Sequence, residues 1–325
     1  MNVIETSGLT KKFNGFTAVD NLDLQIKEGE LFGLLGPNGA GKSTTMYMLT
    51  TLLEPTSGTA LVNNYDVRKQ SLEVRKSIGI VFQDHTLDDR LSAYDNLDIH
   101  GRLYGMPSEK RKQRIKEVLE LVNLEDWARK EVRVFSGGMK RRLEIARGLM
   151  HKPHLLFLDE PTLGLDPQTR RHIWEYIEKL RSEGVSMILT THYLEEADYL
   201  CDRVAIIDHG KIVASGRPED LKNKIGGSVI EVECPNPQAL ITALKKAGIR
   251  TEPKVEGTKL TFTIPDTDHA IPKIMKIAMK AKVDVLSIEA RKPSLEDIFI
   301  KYTGRAIREE KGSGMDEMRR RMRAH

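Results

Sequence analysis

Apolar and polar side chains alternate strictly along Leu22-Asp23-Leu24-Gln25-Ile26, the period of a strand with one buried face. Val3-Ile4-Glu5 reads as a shorter strand. Leu31-Phe32-Gly33-Leu34-Leu35 is a wholly apolar one, reached through the turn Lys27-Glu28-Gly29-Glu30. Thr44 to Leu53 is predicted helical until Pro55-Thr56-Ser57-Gly58 breaks it. Ile115, Val118, Leu119 and Val122 recur at i, i+3, i+4 and i+7, which predicts a helix over 109–124 with basic residues opposite. Leu155-Leu156-Phe157-Leu158 has the length and apolarity of a strand buried on both faces of a parallel sheet. Asp166 and Pro167 read as the N-cap and first residue of a helix with Ile173, Tyr176, Ile177 and Leu180 inward, closed by Gly184. Strands follow at Val185–Leu189 and Val204–Ile207. Strands alternating with helices predict a parallel α/β sheet with helices on both faces.

The pattern restarts after a boundary at Lys222–Ser228, punctuated by Gly226-Gly227. Val229–Cys234 reads as a strand, and Asn236-Pro237 opens a helix running to Gly248. Strands near 250–255 and 258–264 flank a Glu256-Gly257 hairpin turn, followed by a helix over 269–281 and a strand over 284–290. That β-α-β-β-α-β order is ferredoxin-like. Ser294-Leu295-Glu296-Asp297 then opens a last helix carrying Ile298, Phe299 and Tyr302. The expected organisation is a first domain over 1–224, with a helical portion at 84–150, an accessory domain over 228–305, and a basic, flexible tail over 306–325 in which Gly312-Ser313-Gly314 marks the expected start of disorder.

Composition adds modest limits. A chain of 325 residues holds about two domains. No apolar run approaches the roughly 20 residues that a bilayer-crossing helix needs, and Met-Asn-Val-Ile-Glu lacks the features of a secretory signal. Cys201 and Cys234 form no C-x-x-C pair, so a reducing cytosol is expected. Residues 301–325 hold eight Lys/Arg against four Asp/Glu, which accounts for the whole net charge of +4. The other 300 residues balance at 43 of each sign, and no nucleic-acid partner is expected.

Chemistry enters at Gly36-Pro37-Asn38-Gly39-Ala40-Gly41-Lys42-Ser43-Thr44, which fits G-x-x-x-x-G-K-[ST] between an apolar strand and a helix. Glycines let the backbone wrap phosphate oxygens, and the helix start adds partial positive charge there. In this motif Lys42 reaches the β- and γ-phosphates and Ser43 offers a hydroxyl to Mg²⁺. Asp159 and Glu160 end an apolar strand, at the carboxyl edge where open α/β sheets bind ligands. Asp159 is the expected holder of Mg²⁺ through water, and Glu160 the group that polarises the attacking water. His192 follows Thr190-Thr191, where it could bond the γ-phosphate or orient Glu160. Gln83 follows Ile78-Gly79-Ile80-Val81-Phe82, within reach of metal or water. Ser136, in Phe135-Ser136-Gly137-Gly138-Met139, is the expected N-cap of a second anion-binding helix start, ahead of a stripe of Met139, Leu143, Ala146 and Met150.

This last motif resembles the signature of ATP-binding cassette (ABC) ATPases, usually Leu-Ser-Gly-Gly-Gln, with Phe135 and Met139 as departures. Phe13, the phosphate loop, Gln83, the signature, Asp159-Glu160, Gly164-Leu165-Asp166 and His192 fall in the family's order over residues 3–220. The resemblance implies a P-loop NTPase fold with antiparallel-β and helical subdomains and a smaller α+β ferredoxin-like domain behind it. It implies Phe13 stacking on adenine, with Val19 and Asp166 also in the nucleotide-contact set, and Mg-ATP sandwiched between two copies. The γ-phosphate then lies between Lys42 of one copy and Ser136–Gly138 of the other. The signature wording and Pro293-Ser-Leu-Glu-Asp-Ile-Phe look like the daunorubicin/doxorubicin-resistance type, whose members serve exporters of drugs, lipids or polysaccharides. The expected partners are a second copy and separate membrane permease subunits contacting 84–97, at the inner face of the cell membrane. Residues 228–305 are expected to hold two cassettes together or to dock on a neighbour. A soluble non-transport ABC ATPase and a non-hydrolysing regulatory subunit stay open. The first usually holds two cassettes or a coiled-coil insertion, and the second has no need of Glu160 and His192.

Overall fold

The computed structural model describes residues 1–249, 253–265 and 270–304. The expected strand at 250–255, the start of the helix at 269 and the tail over 306–325 lie partly or wholly outside them. The chain forms two compact units, one of residues 1–217 and one beginning at Pro218.

In the first unit β1 (Asn2–Phe13), β2 (Phe16–Lys27) and β3 (Leu31–Leu35) precede α1 (Lys42–Leu49). Then come β4 (Ser57–Val62), β5 (Tyr65–Asp66), α2 (Ser71–Ser77) and β6 (Ile78–Val81). Three helices follow, α3 (Ala93–Leu103), α4 (Ser108–Leu121) and α5 (Gly137–Gly148). The unit closes with β7 (Leu155–Asp159), α6 (Pro167–Ser182), β8 (Ser186–Thr191), α7 (Leu194–Leu200), β9 (Arg203–Asp208) and β10 (Lys211–Gly216).

An antiparallel sheet runs β2-β1-β4-β5, and the main sheet runs β10-β9-β3-β8-β7-β6. All main-sheet pairs are parallel except β10 on β9. Their carboxyl ends therefore share one edge. Leu35, Asp159, Thr191 and Val81 all end strands there, and each leads into one of the motifs read from the sequence. Register adds detail, because Asp159 sits directly opposite Thr190. The core beneath buries Phe32, Leu34, Phe157 and Ile188 between the two sheets and α1.

The first strands are much longer than their alternation implied. Register shifts interrupt the β1–β2 pairing between Asn2 and Ile4 and at points from Thr6 to Lys12, so the two-residue period breaks while the ladder continues. Asn14 and Gly15 turn the hairpin with φ of 37° and 87°, the left-handed pair of a tight hairpin. Helix α3 had no apolar stripe to announce it. Its buried positions are Ala93, Asn96, Leu97 and Gly101. A side chain at Gly101 would press on Arg111, with Cδ only 2.7 Å from a built Cβ.

The second unit contains α8 (Pro218–Asn223), β11 (Ser228–Glu233), α9 (Pro237–Lys246), β12 (Lys254–Glu256), β13 (Lys259–Ile264), α10 (Ala270–Lys280), β14 (Ser287–Arg291) and α11 (Leu295–Thr303). Its antiparallel order β12-β13-β11-β14 is the ferredoxin-like arrangement. Ile230, Val232, Leu240, Leu244, Phe262 and Ile274 form its core. Ser294 caps α11 in a reciprocal box with Asp297. Ile298 and Phe299 are fully buried and α11 lies against α8, so of the three apolar residues read on this helix only Tyr302 faces outward, at 44% exposure.

Candidate functional site

The loop after β3 reverses so tightly that a Cβ at Gly36 would lie 2.3 Å from the carbonyl oxygen of Ile207. Gly39 and Gly41 adopt φ of 79° and 108°, which L side chains resist. Gly41 caps α1 without a side-chain bond, so the first N–H groups of the helix face the loop's concavity. Pro37 is half-buried, Asn38 and Gly39 are exposed, and Ala40 and Thr44 are buried. Val19 is buried beside the loop, its Cγ2 at 3.4 Å from a Cβ built on Gly41. Phe13 is half-buried at the end of the β1–β2 hairpin, with Lys11 Nζ 5.0 Å from its ring centre.

Lys42 is 4% exposed, and its Nζ donates to Gly36 O at 2.8 Å and Pro37 O at 3.1 Å and faces Glu160 Oε1 at 3.3 Å. Burial lowers its pKa, and the charge of Glu160 pulls back against that. Ser43 Oγ donates to Asp159 Oδ1 at 3.3 Å. The Thr190 hydroxyl donates to the same oxygen at 2.5 Å. Asp159 Oδ2 is buried with no protein partner. Burial pushes the Asp159 carboxyl above its ordinary range, with Thr190 the strongest force opposing the rise.

Glu160 has φ of 45°, a left-handed conformation that costs a non-glycine residue roughly 1–2 kcal/mol. It is held there because its N–H donates to Thr190 O and Oγ1, both at 3.1 Å, and its carbonyl accepts from Leu163 N at 3.1 Å. His192 Nδ1 stands 3.3 Å from Glu160 Oε1. Burial would raise the Glu160 carboxyl, but His192 and Lys42 together carry it below its usual value.

Lys42, Ser43, Asp159, Glu160 and His192 thus converge. Gln83 is linked to them only indirectly, its carbonyl accepting at 3.1 Å from Arg141, which also contacts Glu160 O at 3.5 Å. The signature forms a separate group. Ser136 Oγ caps α5 by accepting from Met139 N at 3.2 Å, and Ser136 and Gly137 are exposed. Gly138 is buried under Thr169, whose Cγ2 would meet a Cβ there at 2.4 Å. Exposed Asp166 caps α6 by accepting from Thr169 N at 3.0 Å.

Thr190, Arg141 and Glu144 escaped the sequence reading. Thr190 was legible only as a strand end. Arg141 and Glu144 lie off the Met139, Leu143, Ala146 and Met150 stripe, yet they are 2% and 0% exposed.

Among the described residues no cluster of three or more His, Cys, Asp and Glu can hold a metal. A cation here would take most of its ligands from phosphate and water. The unpartnered Asp159 Oδ2 and the neighbouring Ser43 hydroxyl fit that requirement.

The sequence matches the ABC transporter family over residues 19–163 and the C-terminal domain of DrrA1-3-like ATP-binding proteins over 216–303. The linearmycin resistance ATP-binding protein LnrL of Bacillus subtilis is 38% identical, covering 94% of this chain and 100% of its own. The daunorubicin/doxorubicin resistance ATP-binding protein DrrA of Streptomyces peucetius is 39% identical over 93% of this chain and 92% of its own. The Nod factor export ATP-binding protein I of Cupriavidus metallidurans is 40% identical over 94% and 99%. Among solved structures, CbiO1 of Clostridium perfringens superposes with a TM-score of 0.64 at 31% identity, over 69% of this chain and 93% of its own. The cassette MJ0796, dimeric and bound to ADP and Pi, gives 0.60 at 28%, over 66% and 98%. The chain belongs to the ATP-binding cassette transporter family, as an ATP-hydrolysing subunit of the daunorubicin/doxorubicin-resistance type.

Proposed function

We propose that two copies of this chain close head to tail around two molecules of Mg-ATP, each held by the Lys42 loop of one copy and Ser136–Gly138 of the other. The observation that carries this reading is the pair of separate anion-receiving helix starts on one chain. One is built around a buried lysine, and the other is open to solvent at Ser136 and Gly137. A developing phosphoryl charge is best stabilised from both sides, and a group supplied in trans contributes roughly 10³–10⁵ in rate in related phosphoryl transfers.

Lys42 and the loop amides bind the β- and γ-phosphates, and Phe13 and Val19 flank the base. Glu160, held anionic, accepts hydrogen-bonding from the attacking water, with His192 fixing its carboxylate and the Gln83 amide assigned to the same water or the metal. Asp159 and Ser43, with Gln83, would hold Mg²⁺, which when bound neutralises phosphate charge.

The cycle of closure and release drives separate permease subunits at the inner, cytoplasmic face of the cell membrane. Among the described residues no helix is long and apolar enough to cross a bilayer. A groove of about 790 Å3 lies at the carboxyl end of α3, lined by Leu72, Leu103, Tyr104, Met106, Arg114 and His151. Helix α3 runs from the 84–97 segment to this groove, which offers apolar side chains rimmed with basic ones and suits a membrane subunit's cytoplasmic helix. The cargo class is a drug, lipid or polysaccharide moved outward, in keeping with the names of the relatives.

The test is Glu160→Gln, which retains ATP binding, traps a dimer with Mg-ATP in size-exclusion chromatography with light scattering, and loses turnover. A variant that stays monomeric with ATP while hydrolysing it normally sinks the reading.

A further inference from the structure

One face of α5 is fastened to the segment that follows β6. Lys140 Nζ meets Asp89 Oδ1 at 2.8 Å, and Arg147 Nη1 donates to Thr86 O at 2.8 Å. Between them Arg141 Nη1 donates to Phe82 O at 2.6 Å and to Glu144 Oε2 at 3.0 Å. Its Nη2 donates to Gln83 O at 3.1 Å and makes a long 3.5 Å contact with Glu160 O. Glu144 completes the set, accepting from Thr86 N at 2.9 Å and facing His85 Nδ1 at 3.2 Å.

Two fully buried charges are an inefficient way to stabilise a fold, because desolvation offsets most of their attraction. Their best-attested use is to impose one geometry among several. Here the geometry imposed is specific. A single planar guanidinium reaches the backbone of Gln83 and that of Glu160, from the helix whose start presents Ser136.

We infer that Arg141, held by Glu144, is a positioning residue for ATP hydrolysis that keeps the Gln83 segment, the Glu160 backbone and the signature helix in one fixed relation. The inference rests on the roles given to Gln83 and Glu160 above. It also gives the segment 82–89, which precedes α3, a rigid mechanical path to the serine cap that a partner's phosphate would meet.

The experiment uses the full chain and compares R141K, E144Q and the double apolar replacement R141M/E144L. Lysine keeps the charge but lacks the fork that serves three carbonyls and a carboxylate together. R141K and E144Q should lower kcat about 10- to 100-fold while KM for ATP changes less than about threefold, because the phosphate loop is untouched. R141M/E144L leaves no unpaired buried charge, so it should recover the thermal midpoint but not kcat. Unaltered kcat in R141K overturns the inference, and so does a double variant that recovers both midpoint and kcat. If the double variant fails to fold, R141K alone decides through its split between kcat and KM. None of these readouts depends on whether Glu160→Gln traps a dimer, so failure of the sandwich and failure of this positioning role are told apart.

Discussion

Thr190→Val removes one hydroxyl while keeping the side chain's shape, and the structure says what that hydroxyl does. It donates to Asp159 Oδ1 on the neighbouring strand and accepts from the N–H of Glu160 at 3.1 Å. Glu160 N keeps the Thr190 carbonyl as an alternative acceptor, so the loss falls chiefly on Asp159. That carboxylate is wholly buried, its Oδ2 has no partner, and Ser43 at 3.3 Å is its other hydroxyl contact. A hydrogen bond to a charged group contributes about 1.5–3 kcal/mol, and the variant should be destabilised by about that amount near pH 8. Acid should shrink the deficit. Burial already raises the Asp159 pKa, with Thr190 the chief force opposing it, so the variant's folded carboxyl titrates higher still. A carboxyl whose folded pKa exceeds its unfolded value gains native stability as pH falls through the folded value. Urea unfolding followed by the fluorescence of Trp127 and Trp174 at several pH values measures this directly. Mg-ATP should recover part of the loss, at a Mg²⁺ concentration about tenfold higher than the parent chain needs. An unfolding curve at pH 8 that coincides with the parent's would refute the claim that the Thr190 hydroxyl offsets the burial of Asp159.

Leu103 is 79% exposed at the lip of the groove. Leu103→Asp should leave soluble ATP binding unchanged and reduce the fraction recovered with membranes several-fold when permease subunits are co-expressed. Equal membrane recovery would move the docking surface elsewhere. His100 is carried to about 4, first by burial and then by the charges of Arg147 and His151. Its unfolded form protonates near 6.5, so native stability is complete above that pH and is lost as pH falls toward 4. The loss is about 1–3 kcal/mol after allowing for partial solvent contact. His100→Phe should flatten that limb in urea titrations, and an unchanged difference between pH 7 and pH 4.5 would contradict the assignment.

Local chemistry made part of this molecule legible before any coordinates. The phosphate loop, the Asp166 and Ser136 caps and the buried strand Leu155–Asp159 are set by neighbours in sequence: glycines that open a turn, a short oxygen ahead of a helix, a run of side chains that all require burial. The ferredoxin-like order of the second unit was equally readable, since each element carried its own period and its own turn. What sequence pattern did not carry was whatever depends on two distant segments meeting. The bulged β1–β2 hairpin breaks its own alternation. Helix α3 turns an asparagine and a glycine inward, Asn96 because it bonds the backbone of Asp88 and Gly101 because Arg111 comes from another helix to fill the space.

The site divides in the same way. The sequence named Lys42, Asp159, Glu160 and His192 as reactive groups, because their residue types and spacing carry phosphate chemistry. Tertiary structure alone decided that Thr190 lies opposite Asp159, that Glu160 is held in a left-handed turn, and that Arg141 and Glu144 are buried beneath Gln83. The physical reason is register. Parallel strands bring their carboxyl ends to one edge, and which side chains then face each other depends on the pairing of chain segments many residues apart.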